Sequence, residues 1–212
     1  MIALGIETST PAGSLSLVSE EGTLASSFYS SLHLRHSSWI IGEIDHILML
    51  SSIKLSEISV IAVSTGPGSF SGLRVGYATA QGLSAGLDIP VIGVPTLDVI
   101  CHNICEKDIQ VCSTIDGRKD KIHIALYRKQ RMVSDYITCD LSSLTSLIDQ
   151  ETLFVGPGVG AYKDRIKEKL GASAFFSHPF HNIPQATSVA FLGLIAFKRK
   201  KESSQLVYGH LD

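Results

Sequence analysis

Two stretches far apart in the sequence follow one plan. Residues 2–7 read IALGIE, an apolar run ending on an acid, followed by a Thr/Ser/Pro/Gly turn and then SLSLVSEEG. Residues 111–127 read VCSTIDGRKDKIHIALY. Glu7 precedes Leu15 by eight residues and Leu17 by ten, and Asp116 precedes Ile124 and Leu126 by the same intervals. Each second run passes through polar residues, Glu20-Glu21-Gly22 in one copy and Arg128-Lys129-Gln130 in the other, into a third strand near Thr23–Tyr29 and Met132–Thr138. Later, each half carries an apolar run into Gly-Pro-Gly, VIAVSTGPGSF at 60–70 and TLFVGPGVGAY at 152–162, with a helical pattern after it. The same features recurring in the same order mark a duplicated chain.

Each copy reads as a three-stranded meander followed by helix, strand and helix. That order predicts an α/β protein with an actin-like (ASKHA, ribonuclease H-like) duplicated fold, two related lobes facing each other across a cleft. The spacing places the first lobe at residues 1–105 and the second at 106–185, with a C-terminal helix over 186–212 returning to the first. Ser37 or Ser38 caps a helix bearing Trp39, Ile40, Ile44, Ile47 and Leu48 at three- and four-residue spacing. Ser69 or Ser71 caps the next, which runs to about Leu87, where Gly86 and Pro90 supply the stop.

Composition removes several function classes. A net charge of -2 and a pI near 6.4 argue against a chain that grips nucleic acid alone. Met1-Ile2-Ala3-Leu4 lacks the basic start of a signal peptide, and the longest apolar run, Val189 to Phe197, is too short to span a bilayer. A cytoplasmic protein without a membrane partner is expected. Cys101, Cys105, Cys112 and Cys139 match no common zinc spacing and read as reduced thiols. His33/His36 and His178/His181 are the close histidine pairs; without a nearby carboxylate neither predicts a metal site.

Residues 63–86, VSTGPGSFSGLRVGYATAQGLSAG, hold six of the eighteen glycines. Glycine inside a helix costs roughly 1 kcal/mol relative to alanine, so something must offset it. A phosphate cradle is one candidate, but the stretch has neither the Lys-Ser/Thr pair of a P-loop nor a Gly-x-Gly-x-x-Gly at the right offset. Close helix packing is the other. Gly72, Gly76, Ala80 and Ser84 are four apart and form one stripe of small side chains, with Leu73, Tyr77 and Leu83 around it. Such a stripe lets a partner's helix approach closely, and packing on the chain's own sheet is the alternative.

The segments LGIETST, RHSSWIIGEIDHIL, AVSTGPGSFSGLRVGYATAQGLSAGLDIPVIGVPTLD and IDGRKDKIHIALY together resemble the TsaB (formerly YeaZ) family. That family serves bacterial synthesis of the tRNA modification threonylcarbamoyladenosine. The resemblance covers most of residues 1–127, with GPGSFSGLR its most specific part, and is loose beyond about residue 140. The opening GIETS also resembles the catalytic TsaD family, whose chains are much longer and carry a His-x-x-x-His metal pair. Here His36 is followed by Trp39-Ile40, and no histidine lies four residues away.

The resemblance implies a non-catalytic subunit that pairs with a TsaD-like partner. The complex moves a threonylcarbamoyl group from its adenylate onto N6 of adenosine 37 in tRNA, with a TsaE-like ATPase as third component. Trp39, Ile40, Ile44 and Ile47 are expected to offer bulky anchors, and Gly72, Leu73, Gly76, Tyr77, Ala80 and Leu83 the recess, of a helical partner interface that also allows a homodimer. RNA is reached only through the complex. The isolated chain is expected to need no cofactor, while the complex leaves room for ATP or ADP with magnesium. Glu7, Thr8, Ser9, Asp116 and Arg118 mark a vestigial nucleotide cleft: Pro11 removes a donor from the first turn, and Arg118-Lys119 crowd the second. The rival readings are a stand-alone actin-like ATPase or phosphotransferase, supported by Glu7 and Asp116, and a metallopeptidase-like hydrolase, for which no metal pair or activated nucleophile is legible.

Overall fold

The computed structural model describes residues 1–30, 35–104 and 108–203, with side chains to residue 199. His33, Cys105 and the side chains of Lys200 and Lys201 therefore lie outside the described residues. The chain divides into two compact units, Met1–Pro95 with the chain from Gln185 onward, and Thr96–Pro184.

The first lobe is built on strands β1 (Ile2–Glu7), β2 (Ala12–Ser19), β3 (Gly22–Ser30), β4 (Ile58–Ser64) and β5 (Val91–Val94). Their order is β3-β2-β1-β4-β5, antiparallel through the meander and parallel from β1 to β4 to β5. Helices α1 (His36–Ser51) and α2 (Phe70–Leu87) connect them. The helix returning from the C-terminal part, Ala186–Ser203 (α6 in chain order), packs on β1, β2 and β4. Helices on both faces explain why IALGI and VIAV are apolar without alternation: a parallel strand covered on both sides has no wet face. Gly193 lies where a Cβ would overlap the Ala62 side chain, so α6 approaches the sheet at backbone distance.

In the second lobe, β6 (Gln110–Asp116), β7 (Lys121–Arg128), β8 (Arg131–Met132), β9 (Ile137–Asp140), β10 (Thr152–Val155) and β11 (Ala174–Phe176) repeat the pattern. The order is β11-β10-β6-β7-β8, and β9 also pairs with β7. The third strand of the meander is thus split in two, where the sequence suggests one run from Met132 to Thr138. Helices α3 (Thr96–His102), α4 (Leu144–Leu147) and α5 (Pro157–Leu170) complete the lobe.

The lobe boundary differs from the expected residue 105. Helix α3 belongs to the second lobe, because Leu97, Ile100 and Cys101 pack with Val111, Tyr127 and Leu153. Asp98 on α3 also accepts hydrogen bonds from Tyr127 (2.5 Å) and Tyr136 (2.9 Å). The chain changes lobes at Pro95–Thr96.

Candidate functional site

The two acids of the repeat end equivalent strands, β1 and β6, but their surroundings differ. Glu7 is 0 % exposed. Its carboxylate accepts hydrogen bonds from the Ser9 N–H (2.6 Å) and from Ser64 Oγ on β4. Burial pushes the Glu7 pKa up, and the hydrogen bonds from Ser64 and Ser9 offset this only in part. The loop ahead of α2 closes the turn. The Ser69 N–H donates to Ser9 O at 2.7 Å, and the Ser69 side chain caps α2 by accepting the Gly72 N–H (3.3 Å). A Cβ on Gly68 would overlap Ser9 O, one on Gly72 would overlap Thr8 O, and one on Gly76 would overlap Thr8 Oγ1. The Thr8 and Ser9 hydroxyls are buried among these groups without a hydrogen-bond partner.

The helix end therefore meets this turn through carbonyl oxygens. Phosphate recognition at a helix N-terminus needs free backbone N–H groups and repels carbonyls. The first turn, with Thr8 and Ser9 pressed under α2, does not fit a nucleotide phosphate.

The second turn is open. Asp116 is exposed, and its Oδ1 accepts from the Arg118 N–H (2.8 Å) and the Tyr162 hydroxyl of α5 (2.6 Å). That hydrogen bond to the carboxylate raises the Tyr162 pKa to about 12. Arg118, Lys119 and Asp120 have left-handed φ values of 61°, 50° and 63°. Arg165 pairs with Asp120 at 2.6 Å, while Arg118 and Lys119 are exposed. Here α5 starts at Pro157, directly after Gly156, and Gly158 packs on Thr114 and Ile115 within the strand, short of the turn. Among the described residues, no cluster of three or more His, Cys, Asp or Glu is placed to hold a metal ion. His36 instead meets Thr10 O at 2.8 Å through Nε2.

The residues expected to form a partner surface separate into two groups. Ile40, Ile44 and Ile47 are buried with Leu4, Ile6, Leu15 and Leu17 in the core of the first lobe. Gly72, Gly76 and Ala80 are buried as well, under the Glu7 turn and against Ile6 and Val63. The expectation that these residues offer anchors and a recess to a partner is corrected: the stripe packs on its own sheet, because small residues let α2 reach the β1–β2 turn. Trp39 is half-buried and stacks on Tyr29 at 4.6 Å, and Leu83 lies against the core. Leu73 covers Gly66. Only Tyr77 of the group is exposed.

Other side chains face outward on these two adjacent helices. On α1 they are Ile41 (56 % exposed), Met49 (70 %) and Leu50 (66 %), and on α2 Phe70 (73 %) with Arg74 over its ring. Periodicity picks out the stripe of Ile40, Ile44 and Ile47, and it is the sheet that takes this stripe inward and leaves Ile41, Met49 and Leu50 outside.

The model of the family described as "TsaD: tRNA N6-adenosine threonylcarbamoyltransferase" matches residues 30–207. The chain is 26 % identical over 200 residues to the tRNA threonylcarbamoyladenosine biosynthesis protein TsaB of Bacillus subtilis (strain 168), covering 91 % of this chain and 87 % of that one. YeaZ from Pseudomonas aeruginosa has a similar solved structure, with a TM-score of 0.80 at 24 % identity over 98 % of this chain and 99 % of that chain.

The chain belongs to the TsaB (YeaZ) family.

The fold of this TsaB-family chain is actin-like, and the likeness extends to more distant structures. The ADPNP-bound activator of 2-hydroxyisocaproyl-CoA dehydratase from Clostridium difficile reaches a TM-score of 0.54 at 14 % identity over the whole of both chains, a likeness of fold alone. None of the helices among the described residues is long and apolar enough to cross a membrane. The TsaB-family chain keeps Cys101 and Cys112 as free, buried thiols, and burial pushes the Cys101 pKa up to about 12.

Proposed function

We propose that this chain is a non-catalytic subunit of the t6A machinery, which pairs with a TsaD-type catalytic subunit through α1 and α2 of its first lobe. The observation that carries the reading is the outward apolar set on these helices, Ile41, Met49, Leu50, Phe70 and Tyr77. Exposed apolar side chains carried by two adjacent helices suit a helical partner, and binding energy concentrates in a few such anchors. The role in tRNA N6-threonylcarbamoyladenosine synthesis is supported by the family. A non-catalytic role is supported by the sealed Glu7 turn, which directs α2 to packing rather than to a phosphate. The isolated chain needs no cofactor of its own in this reading. Nucleotide with magnesium, and a TsaE-type ATPase, act in the assembled complex in the cytoplasm, and the same surface serves a homodimer when the partner is absent.

The test mixes the chain with its TsaD-type partner and measures assembly, tRNA modification and thermal stability. Ile41→Asp with Tyr77→Ala should weaken assembly by about 2 kcal/mol or more and leave the melting temperature nearly unchanged. Turnover of magnesium-ATP by the isolated chain, lost on Asp116→Asn, would favour the stand-alone phosphotransferase instead.

A further inference from the structure

The lobes also differ at the hairpin joining their second and third strands, and the difference is one of charge. In the first lobe Ser19 and Gly22 close the β2–β3 hairpin around Glu20 and Glu21. Glu20 is matched by Lys198 of α6 at 2.8 Å and by the Met1 ammonium at 4.0 Å. In the second lobe the closing pair of the β7–β8 hairpin is Arg128 and Arg131, directly opposite each other, around Lys129 and Gln130. Like charges in that position destabilise a strand pair. Neither arginine has an ion-pair partner among the described residues.

The tip carries a second local cost. Lys129 and Gln130 hold left-handed φ values of 49° and 59°, which two-residue hairpins usually assign to Asn-Gly or Asp-Gly. The tip is nevertheless fixed in place. Lys129 Nζ lies 3.0 Å from Asp108 Oδ1, and Gln130 Nε2 donates to Ile104 O at 3.2 Å. Two opposed cations on a held, strained hairpin add nothing to the stability of the lobe, and strain of this kind concentrates where a ligand is met.

We propose that the β7–β8 hairpin docks on the sugar-phosphate backbone of RNA, with Arg128 and Arg131 each taking a phosphate. A guanidinium binds phosphate by paired N–H donors, and a backbone of regularly spaced anions turns two neighbouring cations from a penalty into a match. The overall charge of -2 agrees with a local contact made inside an assembly rather than with RNA binding by the chain alone. The choice of tRNA as the RNA rests on the t6A reading above, whereas the charge contrast between the hairpins does not.

The test uses the chain assembled with its TsaD-type partner and an unmodified tRNA, with affinity measured across a salt series. Arg128→Gln/Arg131→Gln is compared with Lys54→Gln/Lys169→Gln, which makes the same charge change at exposed lysines elsewhere. The arginine variant should lower the slope of log affinity against log salt by about 2, one for each lost phosphate contact. Its melting temperature should stay level or rise, and the lysine control should keep the parent slope. An unchanged slope, or an equal loss in both variants, overturns the proposal. So does a failure of the arginine variant to assemble before RNA is added, which would make the hairpin a protein contact. Modification of the tRNA by the parent assembly separates the two readings: activity with an unchanged arginine slope defeats this proposal and leaves the t6A reading standing, while a parent assembly that binds no tRNA defeats both.

Discussion

Glu7 and Asp116 occupy the same place in two copies of one motif, yet one turn is sealed and the other open. The cause lies in the loop that follows Gly-Pro-Gly. In the first lobe Gly68 and Ser69 continue past the proline before α2 begins at Phe70, and the helix end reaches the turn at Thr8 and Ser9. In the second lobe α5 starts at Pro157, and its first contacts fall on Thr114 and Ile115 within the strand. The offset leaves Asp116 in solvent with Tyr162 as its partner, while Glu7 is enclosed with two unpaired hydroxyls beside it. One sequence motif thus builds a structural plug in one lobe and an accessible turn in the other.

The comparison breaks most readily at Gly72. Gly72→Ala places a Cβ against Thr8 O, a backbone atom that cannot rotate away, and should destabilise the first lobe by about 3 kcal/mol. Gly160→Ala on α5, where a Cβ meets nothing within 4 Å, should stabilise its helix by up to about 1 kcal/mol. Urea denaturation of both variants checks the pair, and a tolerated Gly72→Ala would mean that the first turn is not sealed.

The next effect concerns charge. The folded pKa of Glu7 lies above its ordinary value near 4.5, so the stability contributed by its neutral form is present below that pH and is lost as pH rises through the raised value. In the Glu7→Gln variant the side chain stays neutral throughout, and its amide oxygen can still accept from the Ser9 N–H. The denaturation midpoint of this variant should therefore gain on the parent as pH is raised from 4.5, and then level off. A constant difference across the series would show that Glu7 titrates as an exposed carboxylate does, and the contrast with Asp116 would disappear. The smallest effect is expected at Tyr162→Phe, which removes the hydroxyl held by Asp116 and should cost about 1 kcal/mol. Ultraviolet titration should show the loss of a phenol ionising at about 12.

Much of the architecture was legible in the sequence. The meander, the acid-ended strands, the Gly-Pro-Gly junctions and the extent of α2 follow from periodicity and turn chemistry. The split of the third strand into β8 and β9 was not legible, because alternation across Met132–Thr138 is weak. Ser134 interrupts the strand there by bonding to the backbone of β7, its Oγ accepting the Leu126 N–H at 2.9 Å. The lobe boundary was missed because TLDVICH is an ordinary helical stretch, and only its tertiary contacts, the packing of Leu97, Ile100 and Cys101 and the Asp98–Tyr127–Tyr136 hydrogen bonds, assign it to the second lobe.

The sequence by itself determined the duplication, the succession of meander, helix and strand along each copy and the stripe of Gly72, Gly76 and Ala80, since spacing and residue size are properties of the chain. Only the tertiary structure decided where that stripe points. A small-residue face fits a partner helix or a strand turn equally well, and the choice depends on what lies opposite: here it is the carbonyl of Thr8, brought there by the pairing of β1 with β4. The same folding turned Ile40 inward and Ile41 outward, a distinction that two adjacent isoleucines cannot carry in their identity.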